Sequence, residues 1–196
     1  MEKRERIILA ALEEFVDRGF DGARVRTICD NAKANLAAIS YYFGGKKELY
    51  QEVLRYIGEI PDHLDFAAAL AGENSDPETF MRKWLITFLR HSASDSRLFR
   101  YRYRMVVREM LSPSPYFSET FITKMKPRLA IVKDMIRQIR QKSTSEAEVT
   151  MIVALTLAQC LFFFNKPISG NLTDNPEYGT QNAEAIAERI LFSIKA

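Results

Sequence analysis

The sequence predicts an all-α protein: a three-helix N-terminal helix-turn-helix domain and a larger helical bundle, about nine helices in all. Three observations carry this expectation. Apolar residues recur at helical spacing in one segment after another. No segment gives a convincing strand signal, and there are no internal repeats. Capping residues, glycines and prolines fall where helices of ordinary length begin and end. With 196 residues, 47% of them apolar, the chain can bury a sizeable core.

In the first segment Ile8, Ala11, Leu12 and Phe15 fall at i, i+3, i+4 and i+7, with Gly19 as the stop. Val25 to Ala32 reads as a second helix with Ile28, Cys29 and Ala32 inward. Asn35 caps a third, Leu36 to Tyr42, which ends at Gly44-Gly45. A fourth starts at Lys46, with Leu49, Val53, Tyr56, Ile57 and Ile60 on one side; Gly58 and Pro61 are expected to bend or interrupt it. GENSDP (72–77) is a break, and the boundary region spans 61–77. The expected division is a helix-turn-helix domain at 1–50 and a second domain at 51–196, joined by the fourth helix. Ser75 or Asp76 caps the fifth helix, whose stripe is Met81, Trp84, Leu85 and Phe88. The YRYR alternation inside 97–111 could pass for a strand, but Leu98, Tyr101, Met105 and Val106 fit a sixth helix better. SPSP (112–115) is a turn. Met125, Leu129, Val132, Ile136 and Ile139 make a seventh helix, with Pro127 in or near its start. Ser145 and Glu148 form a capping box opening the eighth, which runs to about Asn165. Residues 166–180 read as a loop. The ninth carries Ala183, Ile186, Ala187, Ile190, Leu191 and Ile194.

Composition excludes several classes. The apolar run from Leu155 to Phe164 contains Thr156 and Gln159 and reads as too short and too polar for a membrane span. The N-terminus mixes acids with bases and does not read as a signal peptide, so a cytoplasmic setting is expected. Cys29 and Cys160 give no disulfide framework. His63 and His91 lack metal-ligand spacing, so no metal is expected. Gly44-Gly45-Lys46 lacks the Walker spacing, and no Gly-x-Ser-x-Gly elbow occurs. Neither a cofactor nor an enzyme activity is expected. The net charge of +3 is mild, but 31–47 holds Lys33, Lys46 and Lys47 and no acid.

That basic island coincides with the third helix. A helix of two turns can place its N-terminal half in the major groove while its apolar side stays docked. Ala37 and Ala38 keep it slim, and the Asn35 cap leaves N–H groups at its tip suited to a phosphate. Ser40, Tyr41 and Tyr42 can donate to phosphates or bases, and Lys46 can neutralise a phosphate. On the residues alone, the alternative is ordinary bundle packing.

A resemblance separates the two. ILAALEEFVDRGFDGARVRTICDNA followed by NLAAISYYFGGKKELYQEVL is similar to the N-terminal domain of the TetR family of transcriptional regulators. The pattern is Ala11-Leu12, Phe15, Gly19-Phe20, Ile28-Cys29, Ala32, Tyr41-Tyr42-Phe43, Lys46 and Leu49. Departures are Lys33 at the usual turn glycine, Tyr42 at a usual histidine, and Ser40 where tyrosine or asparagine is frequent. The resemblance implies DNA contacts by Arg26, Asn35, Ala37, Ser40, Tyr41, Tyr42 and Lys46, with Arg24 a weaker candidate. Phe43, Ile39, Leu36 and Ile28 are assigned to the small core.

MVVREMLSPSPYF (105–117), the helix with Pro127 and LAQCLFFFNKP (157–167) resemble the C-terminal domain of one TetR subgroup, the CerR-like regulators. That implies a homodimer and a small-molecule effector. Residues support the dimer independently. The eighth helix is apolar almost all round and needs cover on two sides; the alternative is full burial within one chain. Leu155, Phe162, Ile186 and Ile190 are the interface candidates. Trp84, Phe88, Tyr101, Met105, Arg108, Met125 and Gln159 are the candidates for an apolar or aromatic effector, Gln159 because a polar residue in so apolar a helix would need a partner if buried. The sequence therefore points to a homodimeric regulator, most simply a repressor, on a pseudo-palindromic double-stranded operator. The competing readings are a helical interaction protein without DNA binding and a helical-bundle enzyme.

Overall fold

A computed structural model of the chain describes residues 2–59, 76–91, 97–141, 144–164, 166–175 and 177–196. Among these residues there are eleven α-helices and no strand. They are α1 (Lys3–Gly22), α2 (Val25–Ala32), α3 (Leu36–Phe43), α4 (Lys46–Glu59), α5 (Pro77–His91) and α6 (Arg97–Leu111). After a π turn (Ser118–Ile122) come α7 (Thr123–Arg140), α8 (Glu146–Phe164), α9 (Lys166–Thr173), α10 (Tyr178–Gln181) and α11 (Ala183–Lys195). Nine correspond one to one to the expected helices. The other two, α9 and α10, correct the reading of 166–180 as a loop. Ile60, Pro61, His63, the stretch up to Ser75 and Asn165 lie outside the described residues, as do the side chains of His91 and Phe164.

Two compact units form, Met1–Ile60 with Asp95–Met125, and Pro61–Ser94 with Lys126–Ala196. In the first, Ile8, Leu12 and Phe15 of α1 bury with Ile28 of α2, Ile39 of α3 and Leu49, Tyr50, Val53 and Ile57 of α4. Phe15 meets Tyr50 edge to face at 4.6 Å. α6 runs alongside α1 and is tied to it by cations. Arg97 pairs with Glu13 at 2.6 Å, Arg104 with Asp17 at 2.8 Å, and Arg108 Nη1 donates to the Val16 carbonyl at 3.3 Å. The first two pairs are exposed and contribute little stability. Deeper in, Tyr50 Oη donates to Glu109 Oε1, while Glu109 Oε2 accepts from Ser114 N at 2.8 Å and Ser114 Oγ at 2.9 Å. Glu109 is almost fully buried, and this set of donors satisfies it. Burial first, then the hydrogen bond and charge of Glu109, push the Tyr50 phenol above its usual range, which keeps it a neutral donor.

Gly19 does not end α1. It kinks the helix, with φ 70 and ψ −179, and one further turn runs to Gly22. A Cβ there would meet the Arg108 guanidinium, which a flexible side chain can relieve by shifting, so it is the backbone at φ 70 that favours glycine. In the second unit α5 and α11 run antiparallel. Arg82 faces Glu188, Arg90 faces Glu184, and Lys195 meets Glu78 at 2.5 Å. Asp76 Oδ1 caps α5, accepting from the N–H groups of Glu78 and Thr79 at 3.1 Å each. Ser145 Oγ accepts from Glu148 N at 3.2 Å, so the expected cap of α8 forms. Pro127 lies inside α7, and the N–H it lacks would have met Thr123, where the π turn gives way to α-helix.

Two glycines give opposite expectations. Gly19→Ala is predicted to destabilise the protein by roughly 1–3 kcal/mol. Gly58→Ala, in the last turn of α4 with a negative φ and a Cβ that would meet only ordinary contacts to Lys124 and Phe121 from 3.6 Å, is predicted to gain up to about 0.5–1 kcal/mol. Urea unfolding of both variants checks this; a stabilised Gly19→Ala would contradict it.

Candidate nucleic-acid interface

The short helix α3 is held at both ends and along one face. Asn35 Oδ1 accepts from Ala38 N at 3.0 Å and caps its start. Gly44, at φ 92, takes the backbone turn that ends it, with its N–H bonded to the Ser40 carbonyl at 3.0 Å. Ala38 and Ile39 are buried, and Phe43, one turn beyond Ile39, is half-buried under the Arg4 guanidinium at 5.5 Å. The opposite stripe is open. Ala37, Ser40 and Tyr41 fall at i, i+3 and i+4 and are all exposed, Tyr41 at 83%. Tyr42 is exposed at the edge of that stripe, its ring 5.0 Å from that of Tyr41.

Leu36 departs from the expectation. Its apolar character assigns it to the small core, yet it stands 57% exposed. By spacing Leu36 falls on the side of Ile39 and Phe43 (i, i+3, i+7), but it is the first residue of α3 and its Cα–Cβ bond tilts past the helix start.

The neighbours of α3 complete the surface. Arg26 on α2 is exposed. Lys33, between α2 and α3, has φ 50 and ψ 50, the left-handed conformation that a turn glycine would take without strain. Arg24 is exposed, but its backbone N–H is bound by the buried Glu14 carboxylate at 3.0 Å, which substitutes for a cap on α2. Lys46 is half-buried; its Nζ donates to the Asp21 carbonyl at 3.2 Å and sits 5.1 Å from the centre of the Phe20 ring. Lys47 Nζ lies 5.6 Å from the Tyr116 ring. Neither Lys47 nor Tyr116 stands out as a site residue in the sequence, because their meeting depends on a turn far along the chain.

The other candidate residues are dispersed. Tyr101, Met105, Arg108 and Met125 belong to the first unit; Trp84, Phe88 and Gln159 belong to the second. Trp84, Phe88, Met105 and Met125 are buried, and Arg108 is committed to α1. Gln159 is exposed and satisfied locally, donating to the Leu155 carbonyl at 3.2 Å, so it is not the buried polar group its helix suggests. On α8, Met151, Leu155 and Phe162 are exposed, whereas Ile186 is half-buried and Ile190 buried on α11. Ala158, Gln159, Phe162, Phe163, Tyr178, Ile186, Arg189 and Ile190 line an open, mostly apolar groove of about 590 Å³. Tyr178 escapes the sequence reading because its segment reads as a loop. Burial pushes the Cys160 thiol up to about 12, and burial with the charge of Asp30 raises that of Cys29, so neither is a reactive thiolate at neutral pH. Among the described residues no group of three or more His, Cys, Asp or Glu is placed to hold a metal ion.

Residues 7–53 match the family model of bacterial regulatory proteins of the tetR family. Residues 77–196 match that of the C-terminal domain of the HTH-type transcriptional dual regulator CecR. The chain belongs to the TetR family. Curated TetR-type relatives include the transcriptional repressor NicS of Pseudomonas putida, 36% identical over 86 residues, which cover 44% of this chain and 39% of NicS. The dual regulator CecR of Shigella flexneri is 32% identical over 95 residues, 46% of this chain and 42% of that one. The chain thus spans about half the length, or less, of the curated relatives it matches. The solved structure of HlyIIR, a hemolysin II transcriptional regulator, shares the fold, with TM-score 0.67, 21% identity and coverage of 99% of this chain and 97% of that one.

Two positions test how α3 is held. Lys33→Gly is predicted to stabilise by about 0.5–1 kcal/mol by removing left-handed strain. Asn35→Ala is predicted to cost about 1 kcal/mol, and Asn35→Asp to cost little. Thermal unfolding of the three would contradict the account if Lys33→Gly lost stability or Asn35→Ala lost none.

Proposed function

We propose that this TetR-family chain is a homodimeric transcriptional regulator, a repressor, that binds a pseudo-palindromic double-stranded operator and is released by a small-molecule effector. The observation that carries DNA binding is the division of α3 into a buried Ala38–Ile39 face and an open Ala37–Ser40–Tyr41 face beside Arg26. A helix with a small, polar outer stripe fits the major groove, and its capped start suits a phosphate. In this reading Asn35, Ala37, Ser40 and Tyr41 face the groove, and Leu36 offers an apolar contact suited to a thymine methyl. Arg26, Tyr42 and Lys46 meet the backbone. The DNA-reading head is 1–50, and α4 links it to 51–196.

The dimer explains α8. Its segment Glu146–Phe163 is long and apolar enough to cross a bilayer by length and hydropathy, and only 22% of it is buried in one chain. The run Leu155 to Phe164, read above as too short and too polar for a span, is the second half of this helix, which passes the test by length and composition only. We assign the open face of Met151, Leu155 and Phe162, with the adjoining groove against Ile186 and Ile190, to a second copy of this chain. The protein is then cytoplasmic, as its DNA target requires. The effector is assigned to the second unit, whose core holds the buried Trp84 and Phe88 rings, 6.0 Å apart. The effector acts by preferring the dimer shape with the wrong head spacing. The repressor assignment follows the name borne by NicS.

Selection from a random DNA pool tests the core of this. An enriched palindrome is expected, with half-sites about one helical turn apart (~34–36 Å) and affinity that falls steeply with salt. No enriched sequence would overturn the DNA reading. Separately, sedimentation should give a dimer for the wild type and a monomer for Leu155→Glu with Phe162→Glu; an unchanged dimer in that variant would remove α8 from the interface.

A further inference from the structure

Three rings from three parts of the chain meet beside the head of α4. Phe20 lies 5.1 Å from Tyr50 and 5.2 Å from Tyr116, and Tyr50 lies 6.2 Å from Tyr116, all edge to face. Two ammonium groups sit on this cluster, Lys46 over Phe20 and Lys47 over Tyr116. Tyr116 comes from the turn after α6, and that turn is pinned: Glu109 holds Ser114 by two hydrogen bonds and Tyr50 by a third.

We propose that Tyr116 is a positioning residue for DNA binding: its ring holds the Lys47 ammonium beside Lys46, so that a phosphate meets two cations already ordered. This rests on the DNA reading above. A lysine alone must lose much rotamer freedom to hold a phosphate. A ring face attracts the ammonium weakly, enough to order it but not to rival a phosphate's full charge. The placement also makes α6 and its turn part of the DNA-binding apparatus, although neither belongs to the helix-turn-helix.

A double-mutant cycle on affinity for the selected duplex tests this, with thermal unfolding of each variant alongside. Tyr116→Leu is expected to weaken binding about 2- to 5-fold. Tyr116→Phe, which keeps the ring, should restore it. In a Lys47→Ala background Tyr116→Leu should cost nothing further. Equal losses in both backgrounds, or no loss at all, would overturn the inference while wild-type binding stands. A wild type without salt-dependent affinity would overturn the DNA reading and this one with it. Should Tyr116→Leu fail to fold, reductive ¹³C-methylation of the wild-type lysines tests the same contact. A Lys47 signal shifted upfield by the ring, assigned by its loss in Lys47→Arg, is expected; an unshifted signal would overturn the proposal.

Discussion

An eight-residue helix cannot hold itself. Nucleation fixes several residues for one hydrogen bond, and two turns are too few to recover that cost in water. α3 is such a helix, and the first unit is organised around keeping it formed. Asn35 satisfies an N–H at its start and Gly44 ends it with a turn other residues resist. Ala38 and Ile39 dock it on a core built from α1, α2 and α4. Because packing rather than propensity stabilises α3, its outer stripe is left to small and polar residues. That freedom is what a DNA-reading helix requires.

The same unit extends beyond the helix-turn-helix. α6 lies along α1, and its Arg108 guanidinium packs against Gly19. Glu109 then joins Tyr50 of α4 to the turn at Ser114. A buried carboxylate with three donors is costly to break, since removing any one leaves a polar group unsatisfied. The orientation of α4, and with it the lysines at its head, is thus tied to an element far along the chain. In the proposed regulator this ties α3 to residues 97–117 of the same unit.

Much of this is legible in the sequence, and the reasons are physical. Helical period and capping residues are local, so nine helices, the Asn35 and Ser145 caps, a cap at Ser75 or Asp76 and the family resemblance can all be read directly. α9 and α10 escape because Pro167, Gly170, Asn171, Asp174 and Pro176 are turn formers by type, and only tertiary packing makes helices of their segment. Leu36 misleads because its spacing places it with Ile39 and Phe43, while its position at the very start of α3 leaves it exposed. Gln159 misleads because an apolar helix with an uncovered face can carry a polar residue at no cost. The Tyr50–Glu109–Ser114 network and the meeting of Tyr116 with Lys47 have no local signature at all.

The central claim is that α3 and its flanks, not the apolar groove of the second unit, form the surface that meets DNA. Hydrogen exchange read by mass spectrometry, with and without the selected duplex, tests it most directly. Protection is predicted to concentrate over residues 24–47. Protection confined to 126–196, with 24–47 unchanged, would contradict the account.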